Sequence, residues 1–532
     1  MKKYFTLLLF VLTVIVAAGA IVSSKKVPIQ KFIVKDSDGF AYFYNDPKYA
    51  EAKRGLNDYM MKILQSEGKV DENFVKLNSK LEEYSKTISR IMVVHTEQNI
   101  KQIKESKEIN LFFIIDAENG FMEKIKKEIK DKNLKFAEVE KDYYKFELGK
   151  EVEKEIEKTT TDQAVTAAVS KTEIYITTYN DYVVMAFSLD KLKSYITKVE
   201  KEEQNKNFVE MYTSSAGKNI AFGACDIGNI LKKSEIDIPK NEFVTELNIA
   251  KFYSSYDFTK KESSVTYEVS GKGKIFSMLD SSKLKERKLI KYASGNTVYF
   301  SNNSFKAMAE MIMEEARKNQ TTSMYGAMAD GMMGEPFSAF MDNIGDEILI
   351  NIPEEEKNIG AGLGVVVVTN LKSEARMKKS LGLVGFTEVK KGVMQSRSGE
   401  IVEFKNGKMI MTFGKDEKVV LKEKKVEQEI TKDTFLYFDI KGSILETVAP
   451  ELKDAKIFMR MRASGNNIAL DFKFDDETLK KLLEWVDAEN KRMLEKKNAV
   501  SDYSDYNLDS DDAGLNNGYQ NEELEATTDA AM

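Results

Sequence analysis

The same series of short segments occurs twice in this chain, in the same order, and that repetition constrains the fold more than any single motif. "SDGFAYFYNDPKY" at residues 37–49 and "SGNTVYFSNNSFK" at residues 294–306 both run from small residues into an aromatic, β-branched stretch and then an Asn-containing turn. Phe40 to Tyr44 and Thr297 to Ser301 are therefore expected to be strands. Each leads into apolar residues at spacings of three and four. Tyr49, Ala52, Leu56, Tyr59 and Ile63 follow the first; Phe305, Met308, Ile312 and Ala316 follow the second. Such spacing gives a helix one apolar stripe to bury.

The echo continues. Residues 109–129 and 362–381 each read as a strand running into an amphipathic helix. Residues 173–188 and 400–414 read as hairpins, turning at Asn180-Asp181 and Asn406-Gly407. Asn-Gly suits a type I′ turn because both central positions need positive φ. Residues 219–233 answer 434–448, with Gly228 opposite Gly442, and the alternating hairpin at 252–271 answers the one at 457–475. A helix follows, and Asp475 or Asp476 can cap its first N–H groups. Five paired features imply an internal duplication, with a first module over residues 34–290 and a second over 291–495. Unequal spacing puts insertions in loops, at 152–170 and 324–345. Clear polar/apolar alternation favours antiparallel sheets with one wet face. The expected fold is α+β: two related modules, each a curved, mostly antiparallel sheet packed against helices. Residues 70–106 read as largely helical, with Phe74, Leu77, Leu81, Tyr84 and Ile88 on one stripe.

The N-terminus carries Lys2 and Lys3, an uninterrupted apolar run from Tyr4 to Val22, then Lys25 and Lys26. Residues 1–26 are expected to be a signal peptide or a membrane anchor. Nineteen residues at about 1.5 Å each nearly cross a hydrocarbon core of roughly 30 Å, which favours an anchor. Ala18-Gly19-Ala20 resembles a signal cleavage site, which favours removal. On either reading the remainder lies outside the cytoplasm, in the cell envelope, anchored in the inner membrane or secreted to the periplasm.

The 80 basic and 86 acidic residues are mixed along most of the chain, for a net charge of -6. No broad basic field exists, which argues against nucleic acid as the main partner. Cys225 is the only cysteine, so no intramolecular disulfide forms. Its surroundings, "AFGACDIG", read as a buried strand. His95 is the only histidine and reads as a partly exposed helix or loop residue. A Ser-His-Asp triad would have to use it. Histidine-rich metal sites are excluded by count, and no cofactor is expected. The phosphate-binding loops, the H-E-x-x-H pair and the G-x-S-x-G elbow are all missing. Carboxylate pairs such as Asp475-Asp476 read as caps, and "PEEEK" at 353–357 as an exposed turn. No catalytic residue is nominated.

Methionines crowd one region. Met308, Met311, Ile312, Met324, Met328, Met332, Met333, Phe337 and Met341 are the candidate contact surface, interrupted by Gly326, Gly331 and Gly334. Flexible, polarisable methionine suits uneven apolar contacts. Thioether binding of Cu(I) is disfavoured because no Cys or His is close in sequence. Residues 500–532 are acidic and poor in apolar side chains, as in a disordered, solubilising tail. Asp505, Asn507, Asp509 and Asp511 alternate like calcium ligands, yet Ser510 stands where such a loop has glycine and Asn516 where it has a bidentate acid.

The targeted N-terminus, the repeated α+β units and strand openings such as "NTVYFSNNSFKAMAEMI" resemble bacterial envelope families with domains of unknown function DUF3352 and DUF4836. The resemblance spans most of the chain beyond the N-terminal segment and implies an extracytoplasmic location with no particular activity. The expected function is a non-enzymatic envelope protein that binds a lipid, peptide or protein partner. An envelope hydrolase using carboxylate chemistry and a structural component of an envelope complex are the alternatives.

Overall fold

The computed structural model describes residues 28–45, 48–49, 52, 88–96, 110–117, 136–147, 173–233, 244–280, 288–293, 296–301, 342–352, 365–413, 430–442, 445–446, 449–486, 488–489 and 492. The chain divides into two compact units, residues 1–483 and 484–532, and every strand among the described residues lies in the first.

The strands of the N-terminal half are β1 (Ser37–Tyr44), β2 (Ile88–Thr96), β3 (Leu111–Ala117), β4 (Phe136–Glu140) and β5 (Tyr143–Glu147). They continue with β6 (Glu173–Tyr179), β7 (Tyr182–Ala186), β8 (Ala221–Asp226), β9 (Glu246–Asp257) and β10 (Glu262–Lys272). Those of the C-terminal half are β11 (Asn296–Ser301), β12 (Ile344–Ile352), β13 (Val365–Leu371), β14 (Thr387–Lys390) and β15 (Val393–Gln395). After them come β16 (Ile401–Lys405), β17 (Lys408–Phe413), β18 (Thr434–Lys441), β19 (Lys456–Ser464) and β20 (Asn467–Asp475).

Among the described residues these form one 20-stranded sheet, paired antiparallel throughout. The order in the first half is β4-β5-β6-β7-β3-β2-β1-β8-β9-β10. The second half runs β14-β15-β16-β17-β13-β12-β11-β18-β19-β20, so each strand pairs as the strand ten before it does. The halves join where β10 pairs with β20, from Glu262 opposite Asp475 to Ser270 opposite Asn467.

Directly opposed residues in a ladder point to the same face, and one row crosses nearly the whole sheet. From Tyr42 it runs through Met92, Ile114 and Val184 on one side and through Phe222, Tyr253 and Thr266 on the other. The matching row from Tyr299 runs through Leu349, Val368 and Ile410, and through Tyr437, Arg460 and Asp471. The two rows meet at Thr266 opposite Asp471. Equivalent positions thus face each other across the seam, and the strand pairing has a local two-fold relation centred there.

Helices cover the row's face in the first half. In α1 (Leu189–Glu200), Leu192, Tyr195, Ile196 and Val199 are buried at helical spacing. In α2 (Lys206–Ser215), Asn205 caps the Phe208 N–H while Phe208 and Tyr212 are buried. The 3-10 turn Ile29–Phe32 packs among them, and Tyr195 Oη donates to the Phe32 carbonyl at 2.5 Å. Each fully buried apolar side chain contributes about 1.5–3 kcal/mol. A second 3-10 turn, Ile290–Tyr292, precedes β11 as the first precedes β1, and Leu289 beside it is buried. Further helices among the described residues include α3 (Ile227–Lys233), α4 (Lys274–Leu279) and α5 (Glu374–Leu383). Met377 and Leu381 of α5 pack on the opposite sheet face.

Both outer edges carry the same device. On β4, Glu138 accepts the Asp142 N–H at 3.1 Å; on β14, Glu388 accepts the Gly392 N–H at 3.0 Å. Each edge strand has a register shift just after that glutamate. Short, bulged, charged edges resist pairing with another chain, although Val139 and Val389 are exposed there. Glu138→Ala combined with Glu388→Ala is expected to produce concentration-dependent association. An unchanged sedimentation mass across a hundredfold concentration range would remove this role from the two glutamates.

Several expectations need correction. The transmembrane segment is withdrawn, because no helix among the described residues is long and apolar enough to cross a membrane. Residues 4–22 themselves lie outside the described residues. The membrane partnership through that segment and inner-membrane anchoring go with it. Residues 88–96 form β2 rather than a helix, so Ile88 and His95 are strand residues. The buried run Ile91–Val94 lacks the alternation that marks a half-wet strand. Phe74, Leu77, Leu81 and Tyr84, the loops at 152–170 and 353–357, and residues 500–532 lie outside the described residues.

Candidate functional site

The expected contact surface, Met308 to Met341, also lies outside the described residues. Two other groupings stand out instead.

The first gathers the chain's only histidine and only cysteine. Gly39 on β1 lies opposite His95 on β2 and opposite Cys225 on β8, so both side chains flank Gly39 on one face. The neighbouring Asp38 sits at a register shift in β1 and is 2% exposed. Its Oδ1 accepts from Asn229 Nδ2 at 2.6 Å and from Lys233 Nζ at 3.3 Å, both on α3. Its Oδ2 lies 3.9 Å from His95 Nδ1 and has no hydrogen-bond partner among the described residues. Asp226 Oδ1 accepts the Asn229 N–H and fixes the start of α3.

This cluster resembles a Cys-His-Asp set only in composition. Burial first, then the carboxylates of Asp38 and Asp226, push the Cys225 thiol up to about 11. A thiol so held is protonated and a poor nucleophile. Burial lowers the His95 ionisation, Asp38 opposes that, and Lys233 adds to it. Among the described residues no group of three or more His, Cys, Asp or Glu side chains is placed to hold a metal ion. The carboxylate pair considered above is occupied structurally: Asp475 Oδ1 accepts the Thr478 N–H at 2.7 Å, and Asp476 accepts from Tyr256 Oη at 2.8 Å.

The second grouping is the seam, whose two faces differ sharply. On the row's face, Asp471 is buried and accepts from Arg460 Nε and Arg462 Nε, each at 2.8 Å, and from Thr266 Oγ1 at 2.9 Å. Burial raises its ionisation, but the hydrogen bonds from Arg462 and Arg460 outweigh that and hold it below the usual value. Lys251 and Glu268 face each other on the same side at 3.7 Å.

On the other face two rows cross the four central strands. One is Phe252, Tyr267, Leu470 and Met461; the other is Ser254, Val265, Phe472 and Met459. Neither contains a charged residue, in a chain that is 31% charged. Tyr267 is 53% exposed and the other seven are half-buried. The local two-fold relation exchanges the opposed pair Tyr267–Leu470 with the pair Phe472–Val265. Phe252 leans over Gly223, where a Cβ would come within 2.5 Å of the ring, so only glycine admits that packing. Helix α4 packs against Met459, Met461 and Ile468 at one side. Sequence alternation marks these strands as two-faced; which edges join, and so which apolar residues form one surface, is not encoded locally.

No protein-family model matches the chain, and no curated protein matches it. Solved structures of TP0453 show weak similarity. Crystal form III has 11% identity over 51% of this chain and 86% of that one, with a TM-score of 0.28. Crystal form I has 10% identity over 46% of this chain and 80% of that one, with a TM-score of 0.25. Likenesses this distant support no argument about activity, ligand or location.

Proposed function

We propose that this is an exported, non-enzymatic binding protein of the bacterial envelope that docks an apolar partner on the uncharged seam face. The observation carrying the proposal is the pair of rows through Phe252, Tyr267, Leu470 and Phe472, free of charge, with Tyr267 exposed and the others half-buried. Catalysis needs polar groups aimed at a reacting centre, and those two rows offer only the Tyr267 and Ser254 hydroxyls. A flat, uncharged floor suits the apolar side of a peptide or protein. A lipid chain is the second candidate, and the binding assay separates the two. Export is supported by Lys2, Lys3, the apolar run and Ala18-Gly19-Ala20, read as a cleaved signal.

An internal duplication is part of this reading. It is supported by the identical strand order, the paired 3-10 turns and the twin edge glutamates. The module limits 34–290 and 291–495 each enclose one set of ten strands. The resemblance to the DUF3352 and DUF4836 families remains part of the proposal.

Tyr267→Asp is the test, since Tyr267 is exposed and its loss leaves the core intact. Charge at that position is expected to weaken binding of an apolar fluorescent probe and of amphipathic peptides about tenfold, or ~1.4 kcal/mol. Exposed Leu383, away from the seam, serves as a control through Leu383→Asp. Equal binding by wild type, Tyr267→Asp and Leu383→Asp would refute the docking face. Loss of fatty-acid binding alone, with peptide binding unchanged, would select the lipid.

A further inference from the structure

We propose that Asp38, His95, Asn229 and Lys233 form an acid-operated latch, in which protonated His95 competes for Asp38 and loosens α3 from β1. Three observations carry it. Asp38 is almost fully buried, yet its Oδ2 has no hydrogen-bond partner among the described residues. The sole histidine stands 3.9 Å from that oxygen, just beyond hydrogen-bond reach. The other oxygen is the tie that holds α3, through Asn229 and Lys233.

The charges around His95 are set by three elements. Asp38 from β1 and Lys233 from α3 act on His95 directly, while β8 brings Cys225, a protonated thiol, with the charge of Asp226 acting on that thiol. From β3 the residue opposite His95 is Leu111, which is uncharged. With His95 neutral, Asp38 and Lys233 balance and α3 is held. Adding a proton places two cations beside one buried carboxylate. His95 then moves onto Oδ2, the share of negative charge left for Lys233 falls, and the α3 tie weakens.

The sign follows from the direction of the His95 ionisation. Burial lowers it below the usual 6.5. A histidine that resists protonation when folded contributes stability that is complete above its unfolded value. That contribution is lost as pH falls through 6.5 toward the lower folded value. Acid therefore weakens this part of the sheet, where an exposed histidine would leave it unchanged.

Because His95 is the only histidine, one imidazole signal in an NMR titration of the full chain reports on it alone. Hydrogen exchange at residues 227–233, corrected for intrinsic pH dependence, reports on α3. Exchange in α3 is expected to rise at least fivefold as the His95 signal titrates, and to stay flat in His95→Asn, which cannot take a proton. Lys233→Met, which leaves His95 free to titrate, is expected to give fast α3 exchange at every pH. An acid response that persists in His95→Asn, or α3 exchange that ignores the titration in wild type, overturns the latch.

Discussion

Asp471→Ala is expected to destabilise the protein by about 3–5 kcal/mol, the cost of removing one partner from a buried ion pair. Its carboxylate is the shared acceptor of Arg460 and Arg462 and ties β20 to Thr266 of β10. Without it two guanidinium groups, with side chains 18% and 25% exposed, lose their buried counter-charge. Arg462 keeps Asp433 at 3.5 Å, which offsets part of its loss. The expected readout is a lower denaturation midpoint, with exchange rising first along β10 and β20. Acid acts in the same direction on the wild type. Asp471 ionises below its usual 3.8 when folded, so its contribution is intact above 3.8 and fades as pH falls through the lower folded value. A midpoint within experimental error of wild type would show that backbone pairing alone holds the seam.

The parts of this fold legible in the sequence are those with a local cause. Asn180-Asp181 and Asn406-Gly407 were readable as turns because two consecutive positive-φ residues are what a two-residue hairpin demands, and all four adopt positive φ. The Phe40–Tyr44 and Thr297–Ser301 strands were readable from aromatic and β-branched density, and they hold equivalent places in the strand order. The choice of Asp475 as cap was open between two neighbours and is settled by the Thr478 N–H. β2 failed for a physical reason: Ile91 to Val94 are buried on both faces, so the run has no period from which to choose helix or strand. The proposed docking face was illegible for a different reason. Phe252, Tyr267, Leu470 and Met461 are more than 200 residues apart at the extremes and become one row only because β10 meets β20. No local pattern specifies which of several strand edges pair. The Asp38 cluster escaped notice for the same reason, since His95 and Cys225 meet through Gly39, a residue with no side chain to advertise the contact.

Glu347→Ala is the second large effect expected, again about 3–5 kcal/mol, from buried donors that lose their acceptor. Glu347 is 1% exposed on β12. Its Oε2 accepts the backbone N–H groups of Lys288 and Leu289 at 2.7 and 3.3 Å and Asn370 Nδ2 at 3.3 Å. Its Oε1 accepts from Tyr299 Oη at 3.1 Å. This one carboxylate therefore pins the segment before β11 to the sheet, helped by Asn351 Nδ2 on the Tyr292 carbonyl at 2.8 Å. Alanine withdraws the acceptor from the buried Tyr299 hydroxyl and from two backbone amides, at about 1–3 kcal/mol for each donor left without a substitute. Glu347→Gln keeps one acceptor oxygen and the side-chain volume, so its cost is expected to be about half. Hydrogen exchange separates this site from the seam: Glu347→Ala accelerates residues 288–293 while β10 and β20 stay protected, and Asp471→Ala does the reverse. If both variants open the same segments, the two halves unfold as one cooperative unit and the seam is not a separable joint.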